Sequence, residues 1–198
     1  MSSPPAVGVL ALQGDFAEHI AALRKLGADA HEIRTAVQLK AANALIVPGG
    51  ESTSMAKLMD AYELREPLRE FARSGRPVWG TCAGLILLAK RLVEERPEPL
   101  GLMDVIVARN GFGRQVDSFE TELDIASVDG GSFHAVFIRA PIVVELGPGV
   151  EAIARLDDGT IVAARQDNLL ATAFHPELTD DPRMHRFFLR MVGCEVRA

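Results

Sequence analysis

Two short stretches, Gly80-Thr81-Cys82-Ala83-Gly84 and His175-Pro176-Glu177, supply a thiol, an imidazole and a carboxylate. The first has the G-x-C-x-G form of a nucleophile elbow, the thiol counterpart of G-x-S-x-G. A tight strand-to-helix turn needs small flanking residues. It lifts the nucleophile clear and sets it at the positive end of the following helix, where thiolate is favoured. The amide of Ala83 then points into the same space as an oxyanion donor. A lone cysteine is more often a buried apolar filler, but here strand, elbow and helix come in the order the chemistry needs.

His175-Pro176-Glu177 supplies the base. A residue before proline is pushed toward extended geometry, and in an extended chain positions i and i+2 face the same way, roughly 6.6 Å apart. Glu177 can accept a hydrogen bond from one imidazole nitrogen, which leaves the other to take a proton from a thiol. An isolated H-P-E reads more readily as a loop histidine beside a solvated glutamate; the elbow reverses the preference. Metal binding is the competing use of these groups. With no C-x-x-C and no H-x-x-x-H, one His beside one Glu offers too few ligands.

The elements that must position these groups alternate. Residues 6–13, 43–50 and the Val78 stretch are short apolar runs of buried strands; residues 16–27 are amphipathic, with Ile20, Leu23 and Leu26 on one side and Gly27 as a stop. Residues 52–75 read as two helical stretches parted near Glu66-Pro67, and Ala83 to Glu95 as one helix. Beyond residue 104 the pattern turns to strands separated by Gly, Asp and Pro, before a last helix over 181–193. The expected architecture is a three-layer α/β sandwich, with a mostly parallel central sheet and extra antiparallel strands in the C-terminal half, as one domain over residues 1–198.

In open α/β sheets ligands bind beyond the carboxyl ends of the strands. Four unusual stretches fall there: LALQGD, IVPGGES, VWGTCAG and TAFHPEL. If their strands are parallel neighbours, they meet along one edge. In PGGEST two glycines let backbone amides approach a ligand, though taken alone the stretch is better read as an ordinary turn with Ser52 or Thr53 as helix N-cap. Arg109 and Arg139, at the ends of strand-like runs, could hold a substrate carboxylate. His19, His31, His134 and His185 read as surface or capping residues.

Composition narrows the function classes. The 198 residues are 48% hydrophobic and 24% charged, with net charge −6 and pI near 5.4. These values give no attraction to nucleic acid or anionic lipid. The N-terminal residues lack a signal-peptide pattern and no apolar run reaches membrane-spanning length, so the expected compartment is the cytoplasm. There Cys82 and Cys194 would stay unpaired.

Taken together, these residues resemble the class I glutamine amidotransferases. LALQGDFAEHI, LIVPGGESTSM, GTCAGLILLAK, RNGFGRQVDSFE, FIRAP and FHPELTDD resemble, in that order, the glutaminase subunits of pyridoxal 5′-phosphate synthases, from about Val7 to Val192. The elbow and H-P-E mark the class; the P-G-G-E-S-T and R-N-x-F-G-R-Q-x-D-S-F-E segments mark the subunit. The resemblance implies Cys82 as nucleophile, His175 as general base and acid, and Glu177 as its orienter. It implies that Gly50, Glu51 and Ser52 contact glutamine, that Gly50 and Ala83 form the oxyanion hole, and that Arg109, Ile138 and Arg139 touch substrate. Gln13 is implied near the site and a subunit interface.

The implied reaction is hydrolysis of L-glutamine to glutamate and ammonia through a γ-glutamyl thioester. The implied partner is a (β/α)₈-barrel synthase subunit that consumes the ammonia to make pyridoxal 5′-phosphate (vitamin B6), with LQGDFAEHI at the contact and no cofactor in this subunit. Other readings are a glutaminase serving a different synthase, such as imidazole glycerol phosphate synthase, a DJ-1/PfpI-like protein whose acid comes from another strand, or an inert scaffold of the same shape.

Overall fold

The computed structural model describes residues 4–112 and 118–193. Its elements run β1 (Ala6–Leu10), α1 (Phe16–Lys25), β2 (Asp29–Ile33), α2 (Ala36–Ala41), β3 (Ala44–Val47), α3 (Ser52–Ala61), α4 (Arg65–Arg73), β4 (Val78–Thr81), α5 (Ala83–Leu88) and β5 (Ala89–Leu92). Next come β6 (Met103–Ala108), β7 (Ser118–Leu123), β8 (Phe133–Ile138), β9 (Ile142–Leu146), β10 (Glu151–Arg155), β11 (Ile161–Gln166), β12 (Leu169–Thr172), a 3₁₀ turn (Pro176–Leu178) and α6 (Arg183–Met191).

The large sheet has the order β2-β1-β3-β4-β12-β11-β9-β6-β5, with β10 beside β11. β2, β1, β3, β4 and β12 are mutually parallel; β11 runs against β12, and β9 against β11 and β6. A separate antiparallel pair, β7–β8, packs through Phe137 against Phe174, ring centroids 5.7 Å apart. The mixed α/β architecture is the one expected from the sequence.

Right-handed crossovers fix the layers. The chain moves from β1 outward to β2 through α1, then back across to β3 and β4 through α2, α3 and α4, so α1 lies on one face and the other three on the opposite face. The packing of α2 on α4 and α3 on α5 fits this division, and α6 joins α1, because His185 of α6 meets His19 of α1. Covered on both sides, β3, β4 and β12 are buried throughout, whereas β6 and β8 alternate.

Three boundaries differ from the sequence reading. α3 and α4 part at Tyr62–Leu64, not at Glu66-Pro67. Pro67 sits in the first turn of α4, where a missing N–H goes unnoticed. α5 stops at Leu88 instead of running to Glu95: the amides of Leu100 and Leu102 bond the carbonyls of Leu87 and Leu88 at 2.7 and 3.1 Å, and Ala89–Leu92 pairs with β6. α2, unassigned from the sequence, is closed by a capping box between Thr35 and Gln38.

Candidate active site

β1, β3, β4 and β12 end side by side, so the four stretches that follow them meet at one sheet edge. The elbow forms where β4 turns into α5. A side chain on Gly80 would reach within 2.5 Å of the Gly84 backbone, and one on Gly84 would overlap the Val47 carbonyl of β3. Only glycine lets α5 start this close to the sheet. Between them Cys82 takes the strained φ of 48° and ψ of −102° at the N-cap of α5. Ala83 is the first helical residue, so its amide has no intrahelical acceptor. Cys82 is 7% exposed and its Sγ lies 3.8 Å from the carbonyl oxygen of Ile138, at the end of β8.

His175 follows β12, and its backbone amide bonds the Val136 carbonyl of β8 at 2.8 Å. Its φ of −108° and ψ of 86° fall short of the extended region, and Pro176 and Glu177 lie in the 3₁₀ turn rather than in the extended run the sequence suggested. The contact survives this difference: His175 Nδ1 meets Glu177 Oε1 at 2.7 Å. Nε2 is left for the thiol. Burial of the His175 ring disfavours its charge, but hydrogen bonds with Cys82 and Glu177 outweigh it and raise its pKa to about 10. Burial also raises the Glu177 carboxyl, opposed by the hydrogen bond and charge of His175. Once the ring carries the thiol proton, the short contact sets imidazolium against carboxylate. The carboxylate that meets the ring belongs to Glu177 of the same segment, not to a separate strand.

The outer wall comes from β1 and the β3–α3 turn. Gln13 Oε1 accepts from the Glu51 amide at 2.7 Å, which draws the LQGD stretch onto PGGES. Gly50 there has φ +153°, and a side chain on it would press within 2.6 Å of Gln13 Oε1. The N-cap of α3 is Glu51, not Ser52 or Thr53: its carboxylate accepts from the amides of Thr53 and Ser54 at 3.0 and 2.7 Å. Burial, the largest single influence, pushes its pKa up, but bonds from Ser54 and Thr53 together prevail and bring it to about 2. Ser52 is buried at the start of α3.

Arg109 reaches this wall. Its Nη2 lies 3.4 Å from Thr53 Oγ1 and 3.6 Å from Glu51 Oε1, while Nη1 donates to the Arg96 carbonyl at 2.9 Å. Ile138, 37% exposed, ends β8 with its carbonyl oxygen beside Cys82 Sγ, and Arg139 follows it with φ 42°. Cys82, Ala83, His175, Glu177, Gln13, Gly50, Glu51, Ser52, Arg109 and Ile138 thus gather around this edge, and Arg139 adjoins Ile138 in the chain; part of the R-N-x-F-G-R-Q-x-D-S-F-E segment (113–117) and Cys194 lie outside the described residues. Cys82 is a free thiol.

Two kinds of residue were missed. Asp15 of the LQGD stretch places Oδ2 3.5 Å from His175 Nδ1, so Asp15, His175 and Glu177 offer three ligand-type atoms within 4.8 Å. His175 Nδ1 is already committed to the 2.7 Å bond with Glu177, which makes the cluster one of proton holding. His19 and His185 are not surface residues; they are 0% and 1% exposed, packed behind Glu177. Helical spacing carried that signal: His19 lies one α-turn before Leu23, and His185 before Phe188 and Leu189, all on buried stripes.

Comparison with known proteins agrees with this geometry. The family model described as the SNO glutamine amidotransferase family matches residues 9–194. The chain is 56% identical to a Dehalococcoides mccartyi protein named pyridoxal 5′-phosphate synthase subunit PdxT, over 93% of this chain and 96% of that one. It is 54% identical to the Acidothermus cellulolyticus protein of the same name, over 99% and 98%. A solved glutamine amidotransferase structure superposes with a TM-score of 0.89 at 52% identity, covering 95% of this chain and 99% of that chain. The chain belongs to the SNO glutamine amidotransferase family.

Proposed function

We propose that this chain is the glutaminase subunit of a pyridoxal 5′-phosphate synthase, and that Cys82, His175 and Glu177 are its catalytic triad. It hydrolyses L-glutamine and feeds pyridoxal phosphate biosynthesis, as its relatives' shared name describes. The observation that carries the triad is the 2.7 Å contact of His175 with Glu177 just after β12, beside the elbow that presents Cys82 at the end of the neighbouring parallel strand β4; the rise in the His175 pKa, to which the thiol contributes, supports the same reading.

His175 takes the thiol proton, and Cys82 Sγ attacks the side-chain amide carbon of glutamine. Amides at Ala83 and Gly50 receive the oxyanion; one such donor is worth roughly 10²–10³ in rate. His175 then protonates the departing nitrogen, releasing ammonia and leaving a γ-glutamyl thioester. Water, deprotonated by the same ring, frees glutamate. Throughout, Glu177 holds the ring by Nδ1 and balances its charge. Gly50, Glu51 and Ser52 grip the glutamine, with Arg109, Ile138 and Arg139 closing the site.

Ammonia is useful as a nucleophile only while unprotonated, so the consuming subunit must be docked. That partner is a (β/α)₈-barrel synthase subunit in the cytoplasm, and Gln13 and the residues after it form part of the contact. No helix among the described residues is long and apolar enough to cross a membrane. Glutamate release, measured with and without the barrel subunit, tests the reading: activity should rise on docking and vanish in Cys82→Ala. Sustained turnover by the docked variant would remove the mechanism.

A further inference from the structure

Behind Glu177 lies a second buried polar chain that the triad chemistry does not use. His19 of α1 presents Nε2 to Glu177 Oε2 at 3.3 Å and to Thr81 Oγ1 of β4 at 3.2 Å; its Nδ1 faces His185 Nε2 of α6 at 3.0 Å. Trp79 stands edge-on to both rings, with centroids 5.7 and 5.2 Å away, and its own Nε1 donates to Thr172 Oγ1 at 3.1 Å. Within the described residues, Glu177 Oε2 and His185 Nδ1 have no well-aligned hydrogen-bond partner.

Two proton arrangements fit the 3.0 Å contact. In one, both rings carry hydrogen on Nε2: His185 donates to His19 Nδ1, and His19 Nε2–H lies between Thr81 Oγ1 and the Glu177 carboxylate. In the other, both carry it on Nδ1: His19 then turns a lone pair toward a carboxylate, and His185 buries an orphan N–H. A bare acceptor is tolerated in a protein interior more readily than an unpaired donor, and two lone pairs facing each other repel. Both arguments select hydrogen on Nε2.

We propose that His19, oriented by His185, is a positioning residue of the glutaminase reaction: its Nε2–H steadies Glu177 Oε2 and so reserves Oε1 for His175. The inference rests on the triad reading given above. Three side chains from three separate elements, α1, the 3₁₀ turn and α6, are thereby aligned in one direction toward the nucleophile. Burial and the neighbouring His185 and His175 hold the His19 pKa well below its ordinary value, which keeps it a neutral donor. The charged or titratable groups facing His175 are Cys82, Glu177 and Asp15; those facing His19 are Glu177, His185 and, at longer range, His175.

The test has two readouts on the chain docked to its synthase partner and one on the chain itself. With histidine-specific ¹⁵N labelling, long-range proton–nitrogen spectra near pH 7 should show His19 and His185 neutral with hydrogen on Nε2, assigned by loss of each signal in His19→Gln and His185→Gln. Hydrogen on Nδ1 in both rings would overturn the proposal. In kinetics, His19→Leu should lower kcat about tenfold or more with KM within about twofold. It should also move the acidic limb of the kcat/KM profile up by about one pH unit, because Glu177 then protonates more easily. His19→Gln keeps an amide N–H near the Nε2 position and should restore most of both. A folded His19→Leu with unchanged kcat and limb, or a Gln variant as impaired as Leu, would assign His19 to packing alone. If His19→Leu does not fold, the Gln variant and the spectra decide. Cys82→Ala runs alongside: activity persisting there defeats the triad, whereas activity lost there but intact in His19→Leu defeats only this inference.

Discussion

His175 and Glu177 are 4% and 8% exposed and hold each other at 2.7 Å. Glu51 and Arg109, on the rim, lie 3.6 Å apart, with 49% of the Glu51 side chain and 27% of the Arg109 side chain exposed. The inner pair is surrounded by apolar packing and the buried His19–His185 couple, so its charges are fixed by one another. The rim is fixed by backbone: Gln13 and Glu51 each bond main-chain amides. The division suits the labour. Groups that handle protons need an environment solvent cannot reshuffle, while groups that admit a polar substrate must be reachable from water.

The sharpest way to separate the regions is to disable the interior. Cys82→Ala should reduce glutamate release by the docked enzyme about 10³-fold or more, with glutamine still bound. Glu177→Gln should come next, lowering kcat roughly 10²–10⁴-fold with little change in KM, because an amide can no longer fix the tautomer and charge of His175. Equal losses in KM would show that the interior also binds substrate, and the comparison would fail.

The two buried neutral histidines predict an acid weakness. His185 is lowered by burial to about 4 from an ordinary 6.5, and His19 is lowered too. A folded pKa below the unfolded one means that the unfolded chain takes up protons first, so stability falls as pH drops from 6.5 toward 4. For His185 this reaches at most about 3 kcal/mol at pH 4. Thermal melts of wild type should fall across that window, and His185→Phe should flatten the decline; parallel curves would contradict the buried neutral ring. His175 has the opposite sign. Raised to about 10, it contributes stability that is full below pH 6.5 and is lost as pH climbs toward 10.

The rim should respond least. A partly exposed ion pair contributes little stability, so Arg109→Ala should lower the melting temperature only modestly, chiefly through the lost bond to the Arg96 carbonyl. It should raise KM about tenfold or less with kcat preserved, as read from initial rates across glutamine concentration. A collapse of kcat instead would place Arg109 within the chemistry.

How far the sequence carried this account depends on the kind of signal. Buried parallel strands announce themselves as apolar runs, and the elbow by glycines that a strand-to-helix turn cannot do without; both were legible. The short helix α2 was not, although its Thr35 and Gln38 carry a capping-box pattern. α5 was overextended because Lys90 and Arg91 suit a helix, and only pairing with β6, a partner remote in sequence, turns them into strand. His19 and His185 were misplaced since a polar residue type was allowed to outweigh its helical register. Their meeting across 166 positions exists only once α1 and α6 share a face of the sheet.

The most direct measurement is chemical. The chain docked to its synthase partner should be treated with a glutamine-analogue electrophile, digested, and its peptides mapped by mass spectrometry. One covalent adduct is expected, on Cys82, suppressed by excess glutamine and slowed strongly in His175→Ala. An adduct elsewhere, or labelling of Cys82 that ignores both glutamine and His175, would contradict a thiol activated by its buried imidazole.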